Sequence, residues 1–532
     1  MNQKLETVAR AMQAPLALPR AAAVPWSALL LPGLTGALIA AAFLDFRLFP
    51  LAWVAFVPLL YRLGRAQTRR EAVLIGAVAG LTTNVPAFYW LVYTMHVFGG
   101  FAVPIAAFFY ACLSIYSACQ FVLFALGMRT VGFGPLGLAV PVLWVGLEFL
   151  YPNLFPWRLA NSQFHLPVLT QIGDLTGPFG LSFVMLWVGA GITTALMRPR
   201  RWAPLLAALT ATAAVAGYGA WRRPIVQAAI DAAPVVSAGL VQGNVGIIEK
   251  GDAALFDINV ERYRRLSEAL ESQVDLLVWP ETVAEWWVPA AATHLDVEDN
   301  PLPGLKRFLI YGGLAFERDR TQRDQARKYN SAFLIGAGGR VIGRYDKQVL
   351  MPFGEYLPGA SLIPQLASLS PQTGDFTPGG RLVTLDVPGL VRVAPLICYE
   401  DVPARIARGM TRIGAEALLT MYNDAWFGPS AAPYQHEALA LWRAIENRRY
   451  FLRVGNAGVS GVIDPFGRVV ARLGNFTEEV LRAEIRPLRI TTFYTRCGDV
   501  FAWAVAVAAV AMVGWSVKQT RTATRETRSR IP

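Results

Sequence analysis

The sequence predicts a multi-span α-helical membrane domain joined to an α/β domain outside the bilayer. Two observations predict the first part. Of 532 residues, 54% are hydrophobic and 16% charged, with a mean hydropathy of +0.38, more apolar than an ordinary soluble chain. The apolar residues are also concentrated, filling the chain up to about residue 220 and one stretch near the end. A third observation predicts the second part: between 235 and 487, short apolar runs alternate with amphipathic helical patterns.

A bilayer-spanning helix needs ~20 mostly apolar residues. Segments 26–44, 48–62, 72–94, 101–127, 133–150, 178–197 and 202–220 approach or meet that requirement, and 500–517 follows the polar region. Only a short turn containing Asp45 and Arg47 divides the first two. No small-residue cleavage site closes the first apolar stretch, so it reads as a retained span and not a removed signal peptide. The expected layout is an N-terminal membrane domain over 1–224, an α/β domain over 225–495, and a C-terminal helix with a basic tail over 496–532.

Lysine and arginine in short loops set orientation. One set of loops carries Lys4, Arg10 and Arg20; Arg62, Arg65, Arg69 and Arg70; Arg129; Arg198, Arg200 and Arg201; and the tail from Lys518 to Arg530. The opposite short loops hold only Arg47 and Arg158, with Arg222 and Arg223 leading into the large domain. Both termini are therefore expected in the cytoplasm and the α/β domain on the other side, the periplasmic face of a bacterial inner membrane. Much of the formal net charge of +12 sits in loops that face anionic lipid, which argues against a nucleic-acid partner.

Four cysteines are present, with no CxxC pair and no zinc or disulfide spacing. Cys112 and Cys119 read as packing residues within one span. The four histidines are scattered, and His436 alone lies near other reactive residues. No metal and no cofactor is expected.

In the α/β region, VVSAGLVQGNV (235–245), DLLVWPE (275–281), FLIYGGLAF (308–316), NSAFLIG (330–336), RVIGRYD (340–346), VRVAPLICYE (391–400) and EALLTMYND (416–424) read as strands. INVERYRRLSEALES (258–272) and YQHEALALWRAIENRR (434–449) read as helices, and GAGG (336–339) and DPFG (464–467) as hairpin turns. Three strands end in ionisable residues: Glu281, Lys347 and Cys398. Ligands gather at the carboxyl edge of such sheets, so a carboxylate, an ammonium and a thiol from three strand ends can form one nucleophilic site. A free thiol titrates near ~8.5 and needs a neighbouring base or positive charge to attack at neutral pH.

VWPE (278–281), YDKQVLMPFGEYLP (345–358) and LICYE (396–400) resemble the three catalytic blocks of the carbon–nitrogen hydrolase (nitrilase) superfamily. With the spans, YNDAWFG (422–428), RVGNAGVSGVIDPFG (453–467) and TFYTRCGD (492–499), the whole chain resembles the apolipoprotein N-acyltransferase family. That resemblance implies an α-β-β-α sandwich for the catalytic domain. It also implies Cys398 as nucleophile, Glu281 as general base and Lys347 as oxyanion partner. Glu355 would be an accessory acid beside Lys347, while Tyr399 and Glu400 would shape the site. Asn423, Asp424 and Trp426 are candidates for the pocket. One departure is Gly251, where the family can place a tryptophan shortly after QGN.

The implied reaction moves an acyl chain from a membrane phospholipid, usually phosphatidylethanolamine, through a Cys398 thioester. The acceptor is the α-amine of an S-diacylglyceryl cysteine at the start of an apolipoprotein. Both substrates are lipids, and a monomer suffices. Trp286, Trp287 and SLIPQLASL (361–369) are candidates for arms that dip into the interface. The rival readings are a membrane-anchored amidase or nitrilase that sends the acyl-enzyme to water, and an inactive scaffold.

Overall fold

A computed structural model describes residues 27–246, 249–250, 252–318, 326–352, 354–356 and 374–529. Among them, six helices are long and apolar enough to cross a membrane: Ser27–Leu44, Phe46–Leu63, Val103–Val131, Phe179–Met197, Ala203–Ala232 and Val500–Thr522. The expected span over 72–94 is broken. Arg69–Ala87 and Trp90–Val97 meet at 55°, where Pro86 lacks an amide donor and Phe88 leaves helical geometry. The expected span over 133–150 is shortened to an apolar helix over Pro135–Leu150, because Gly132 and Gly134 adopt left-handed φ of +73° and +66°. Small residues let these helices close up. A Cβ on Gly80 would stand 2.6 Å from Ala118 Cα on the helix Val103–Val131. Cys112 and Cys119, expected inside the packing, lie instead on exposed faces of that helix.

The helix Ala203–Ala232 runs unbroken through Arg222, Arg223 and Pro224, and the first strand follows almost at once. Thirteen strands are described: β1 Val236–Gln242, β2 Leu276–Val278, β3 Ala284–Pro289, β4 Phe308–Arg318, β5 Ala326–Ile335, β6 Val341–Asp346, β7 Leu385–Val387, β8 Val391–Ile397, β9 Ala417–Tyr422, β10 Phe451–Gly455, β11 Gly461–Ile463, β12 Val469–Arg472 and β13 Glu479–Ile485. They form two sheets. One has the order β13-β1-β2-β4-β5-β6 with β3 also paired to β4; the other has the order β12-β11-β10-β9-β8-β7.

Side-chain alternation explains the layers. Val236, Ala238, Leu240, Leu276, Val278, Ile310 and Leu334 share one face of the first sheet and belong to a buried cluster that also holds Val393, Leu396, Leu418 and Met421 of the second. Their neighbours Val241, Leu277, Leu309 and Phe333 turn outward, against Val260, Tyr263 and Leu270 of the helix Phe256–Glu271. On the second sheet, β8, β9 and β10 pair in parallel, and their near-continuous apolar sequence is that of strands buried on both faces. The result is the expected α-β-β-α sandwich. The helix expected over 434–449 is two pieces, Ala432–Ala440 and Trp442–Asn447, closed by Arg448 at φ +50°.

A buried ion cluster joins the two parts. Asp174 Oδ2 accepts from Arg222 Nε at 2.7 Å and from Arg448 Nε at 3.0 Å, while Tyr218 donates to its Oδ1 at 2.5 Å. Arg448 also donates to Gln171 O at 3.1 Å and Pro465 O at 3.0 Å.

Candidate active site

β8 ends at Ile397, and Cys398 begins a short 3-10 turn with φ +52°. A non-glycine residue in that region is strained, and such strain concentrates at functional sites. The turn lifts the thiol off the strand axis while leaving it partly exposed. Glu400 holds the turn. Its Oε2 accepts from the Ile397 amide at 2.9 Å, and its Oε1 from Tyr345 OH at 2.8 Å, Gln348 N at 2.6 Å and Val349 N at 3.1 Å. The residues after Lys347 are thereby fixed to the nucleophile's turn.

Lys347 follows β6 and Glu281 follows β2, and both side chains are buried. Lys347 Nζ lies 3.3 Å from Glu281 Oε1 and 2.7 Å from Glu355 Oε2. Asn330, from β5, uses its amide nitrogen to bridge the same two acids, donating to Glu281 Oε1 at 2.9 Å and to Glu355 Oε1 at 2.8 Å. The Met351 amide adds a bond of 2.8 Å to Glu355. Burial pulls the Lys347 pKa down, but Glu355 and Glu281 more than offset it, so the ammonium stays charged. Burial and Glu281 push the Cys398 thiol well above its ordinary value, with Lys347 pulling the other way and Asp424 and Glu355 adding to the rise. The resting Cys398 thiol is therefore neutral, and any attack through its sulfur would need a base.

Tyr399 points away from this cluster and donates to Leu154 O in the membrane domain at 2.6 Å. Trp426 also meets the membrane domain: its ring lies 4.1 Å from that of Phe98, and its carbonyl accepts from Thr94 Oγ1 at 3.1 Å. Asn423 and Asp424 turn inward. Asn423 Oδ1 accepts from Asn456 Nδ2 at 3.1 Å. Asp424 meets His436 Nδ1 at 3.1 Å, while His436 Nε2 lies 2.9 Å from Asp401. Arg453 donates to Asp401 Oδ2 at 2.6 Å. Trp286 and Trp287 lie on β3, whose register against β4 shifts between Ala284 and Trp287, and Trp286 donates its indole N–H to Asp299 O at 3.0 Å. Gly251 and the segment 361–369 lie outside the described residues.

The sequence reading did not find Asn330, Lys250 or the pairing of His436 with two acids. Lys250 Nζ donates to the Glu281 carbonyl at 2.8 Å. Among the described residues, no group of three or more His, Cys, Asp or Glu side chains is arranged to hold a metal ion. The arrangement can bring a nucleophile, a carboxylate base and a fixed cation to one electrophilic carbonyl.

Residues 35–191 match the family described as apolipoprotein N-acyltransferase N-terminal domain, and residues 237–494 match the carbon-nitrogen hydrolase family. An apolipoprotein N-acyltransferase of Geobacter metallireducens is 35% identical, covering 93% of this chain and 96% of that protein. One from Azotobacter vinelandii is 34% identical with the same coverage. A solved structure of Saccharomyces cerevisiae Nit3, from the nitrilase superfamily, is 23% identical with a TM-score of 0.37, covering 48% of this chain and 90% of its own.

Proposed function

The chain belongs to the apolipoprotein N-acyltransferase family, and we propose that it works through a thioester on Cys398, with Glu281 as base and Lys347 as oxyanion partner. The observation that carries these roles is the Glu281–Lys347–Glu355 cluster, at 3.3 and 2.7 Å, beside a cysteine on a strained turn.

In the first half-reaction Glu281 takes the thiol proton as sulfur attacks an acyl ester of a membrane phospholipid, phosphatidylethanolamine being the expected donor. The carbonyl oxygen becomes an oxyanion beside the Lys347 ammonium, and one such preorganised donor is typically worth ~3 kcal/mol. Collapse breaks the ester C–O bond, and Glu281 returns its proton to the departing lysophospholipid oxygen. In the second half-reaction the α-amine of the S-diacylglyceryl cysteine attacks the thioester. Glu281 accepts the amine's proton, and collapse expels the Cys398 thiolate, which takes that proton back. Glu355 and Asn330 hold Lys347 and Glu281 in register throughout. The hydrolase alternative uses the same acylation, and differs only in water taking the place of the amine.

The chain is a membrane protein, and we place it in the bacterial inner membrane with the catalytic domain on the periplasmic face. The helix Val103–Val131 supports this placement. Near its start, Phe98 meets Trp426 of the catalytic domain. Near its end, Arg129 donates to Gln67 O at 2.8 Å, in the basic loop holding Arg62, Arg65, Arg69 and Arg70. Arg129 and the basic loop 62–70 therefore lie at the end opposite the catalytic domain, as cytoplasmic loops do.

The test is intact-mass spectrometry of the purified protein with phosphatidylethanolamine, then with a diacylated lipopeptide. A hydroxylamine-sensitive acyl adduct on Cys398 should form, and disappear as the peptide gains an amide-linked chain. Loss of the adduct to water at the same rate with or without peptide would establish the hydrolase. Normal acyl transfer by Cys398→Ala would overturn the assigned nucleophile.

A further inference from the structure

The turn that carries Glu281 is held by more than its own strand. Thr282 adopts a left-handed φ of +49°. Gly312 of β4 passes so close that a Cβ there would stand 2.4 Å from Thr282 N and 2.6 Å from Glu281 Cα. The Gly312 amide donates to Pro280 O at 3.1 Å, and the Val283 amide donates to Gly312 O at 2.9 Å. Both bonds bracket Glu281 without using its own carbonyl. That carbonyl is taken by the half-buried ammonium of Lys250, at 2.8 Å.

We propose that Lys250 is a positioning residue for acyl transfer, fixing the backbone of Glu281 and supplying a second positive charge to a site that must pass through a thiolate. The proposal rests on the functional reading above. Charge balance is the first argument. Glu281, Lys347, Asp424 and Glu355 are among the ionisable groups around the thiol; Lys347 is already shared between Glu281 and Glu355, and Asp424 is paired with His436. Two acids that share one cation beside the thiol resist another negative charge. Lys250 lies near Glu285, Glu281 and Cys398, which adds a cation at the Glu281 carbonyl.

Geometry is the second argument. A strained turn persists only when its surroundings over-determine it, and the Lys250 bond is the one side-chain bond recorded to the Glu281 carbonyl among the described residues. Without it the Glu281 peptide can relax and swing the carboxylate away from Cys398, and a misplacement of about 1 Å can cost on the order of 100-fold in rate.

The test compares full-length wild type, Lys250→Met and Lys250→Arg in detergent. Two rates are followed against pH: acyl-adduct formation with phosphatidylethanolamine, and alkylation of Cys398 by iodoacetamide, mapped by peptide mass. Lys250→Met should slow both about tenfold at neutral pH and move the alkylation profile upward by about one pH unit, a tenfold loss of thiolate being one pKa unit. Lys250→Arg, which keeps the charge and the donor, should restore most of the loss. Identical profiles for wild type and Lys250→Met would overturn the proposal, as would a folded Lys250→Arg as slow as Lys250→Met. Should Lys250→Met fail to fold, Lys250→Gln takes its place under the same criteria. If wild type forms no adduct yet alkylation still depends on Lys250 in this way, the functional reading fails and the role of Lys250 stands.

Discussion

The hydroxyl of Tyr399, the residue after the nucleophile, donates to the carbonyl of Leu154 at 2.6 Å. The catalytic turn is thus tied directly to a loop of the membrane domain, and the mouth of the site is set by both parts of the chain. The same junction carries the Phe98–Trp426 ring contact and the Thr94 bond to Trp426 O. Lipid substrates of the proposed reaction, entering laterally, would pass this seam, where the proposed thioester would have to be kept from water.

Tyr399→Phe removes that bond while keeping the ring. A neutral hydrogen bond contributes about 1 kcal/mol net, so the expected result is an acylation rate reduced several-fold with the protein still folded. Single-turnover adduct formation by mass spectrometry measures it. An unchanged rate would show that the tether does not set the geometry of Cys398.

Asp174→Ala should destabilise the chain far more than a surface change. It strips the partner from Arg448, whose side chain is fully buried, and from Arg222. Removing one member of a buried ion pair typically costs ~3–5 kcal/mol because the other charge stays buried and uncompensated. Thermal unfolding in detergent should show a clear drop for Asp174→Ala, with a smaller one for Asp174→Asn, which keeps part of the hydrogen bonding.

His436 gives a pH dependence with a definite sign. Burial acts to lower its pKa, but Asp401 and Asp424 outweigh burial and raise it to about 9. An ordinary histidine titrates near 6.5, so the folded form holds the proton more tightly than the unfolded one. The resulting stability is complete below pH ~6.5, of order 3 kcal/mol, and fades as pH rises to about 9. Arg453 and the edge of Tyr422 also face this cluster. Chemical unfolding between pH 6 and 10 should show that loss in wild type, and a flatter profile in His436→Gln. Equal slopes would remove His436 as the source.

The sequence made the central strands legible for a physical reason. β8 and β9 are buried on both faces, so they read as unbroken apolar runs ending in reactive residues. β3 was not legible, since AEWWVP mixes charge, two indoles and a proline. β13 lies at a sheet edge and spells EVLRAEI, with Glu479, Arg482 and Glu484 exposed. Glu281, Lys347 and Cys398 stood out because each follows the end of its own strand. Asn330 sits in the middle of β5, and His436 reaches acids 35 and 12 residues away, so nothing local announces either. The broken helix at Pro86 was legible in principle, since an internal proline marks the point where a long apolar run kinks.

Glu400 supplies the last prediction, and it separates a structural role from a chemical one. All four of its recorded hydrogen bonds come from the site's framework: Ile397 before the nucleophile, and Tyr345, Gln348 and Val349 around Lys347. None involves the thiol. Glu400→Ala leaves buried donors without an acceptor, each worth ~1–3 kcal/mol of desolvation, so both stability and acylation should fall steeply. Glu400→Gln keeps one acceptor oxygen but turns an N–H toward the remaining donors, which should detach either Ile397 or the Lys347 loop. Acylation should then drop at least tenfold while melting shifts by only a few degrees. Cys398 alkylation at high pH, where the thiol ionises without help, should remain close to wild type in Glu400→Gln. A loss there as large as the loss in acylation would place Glu400 in the ionisation of the nucleophile itself, not in the placement of Lys347.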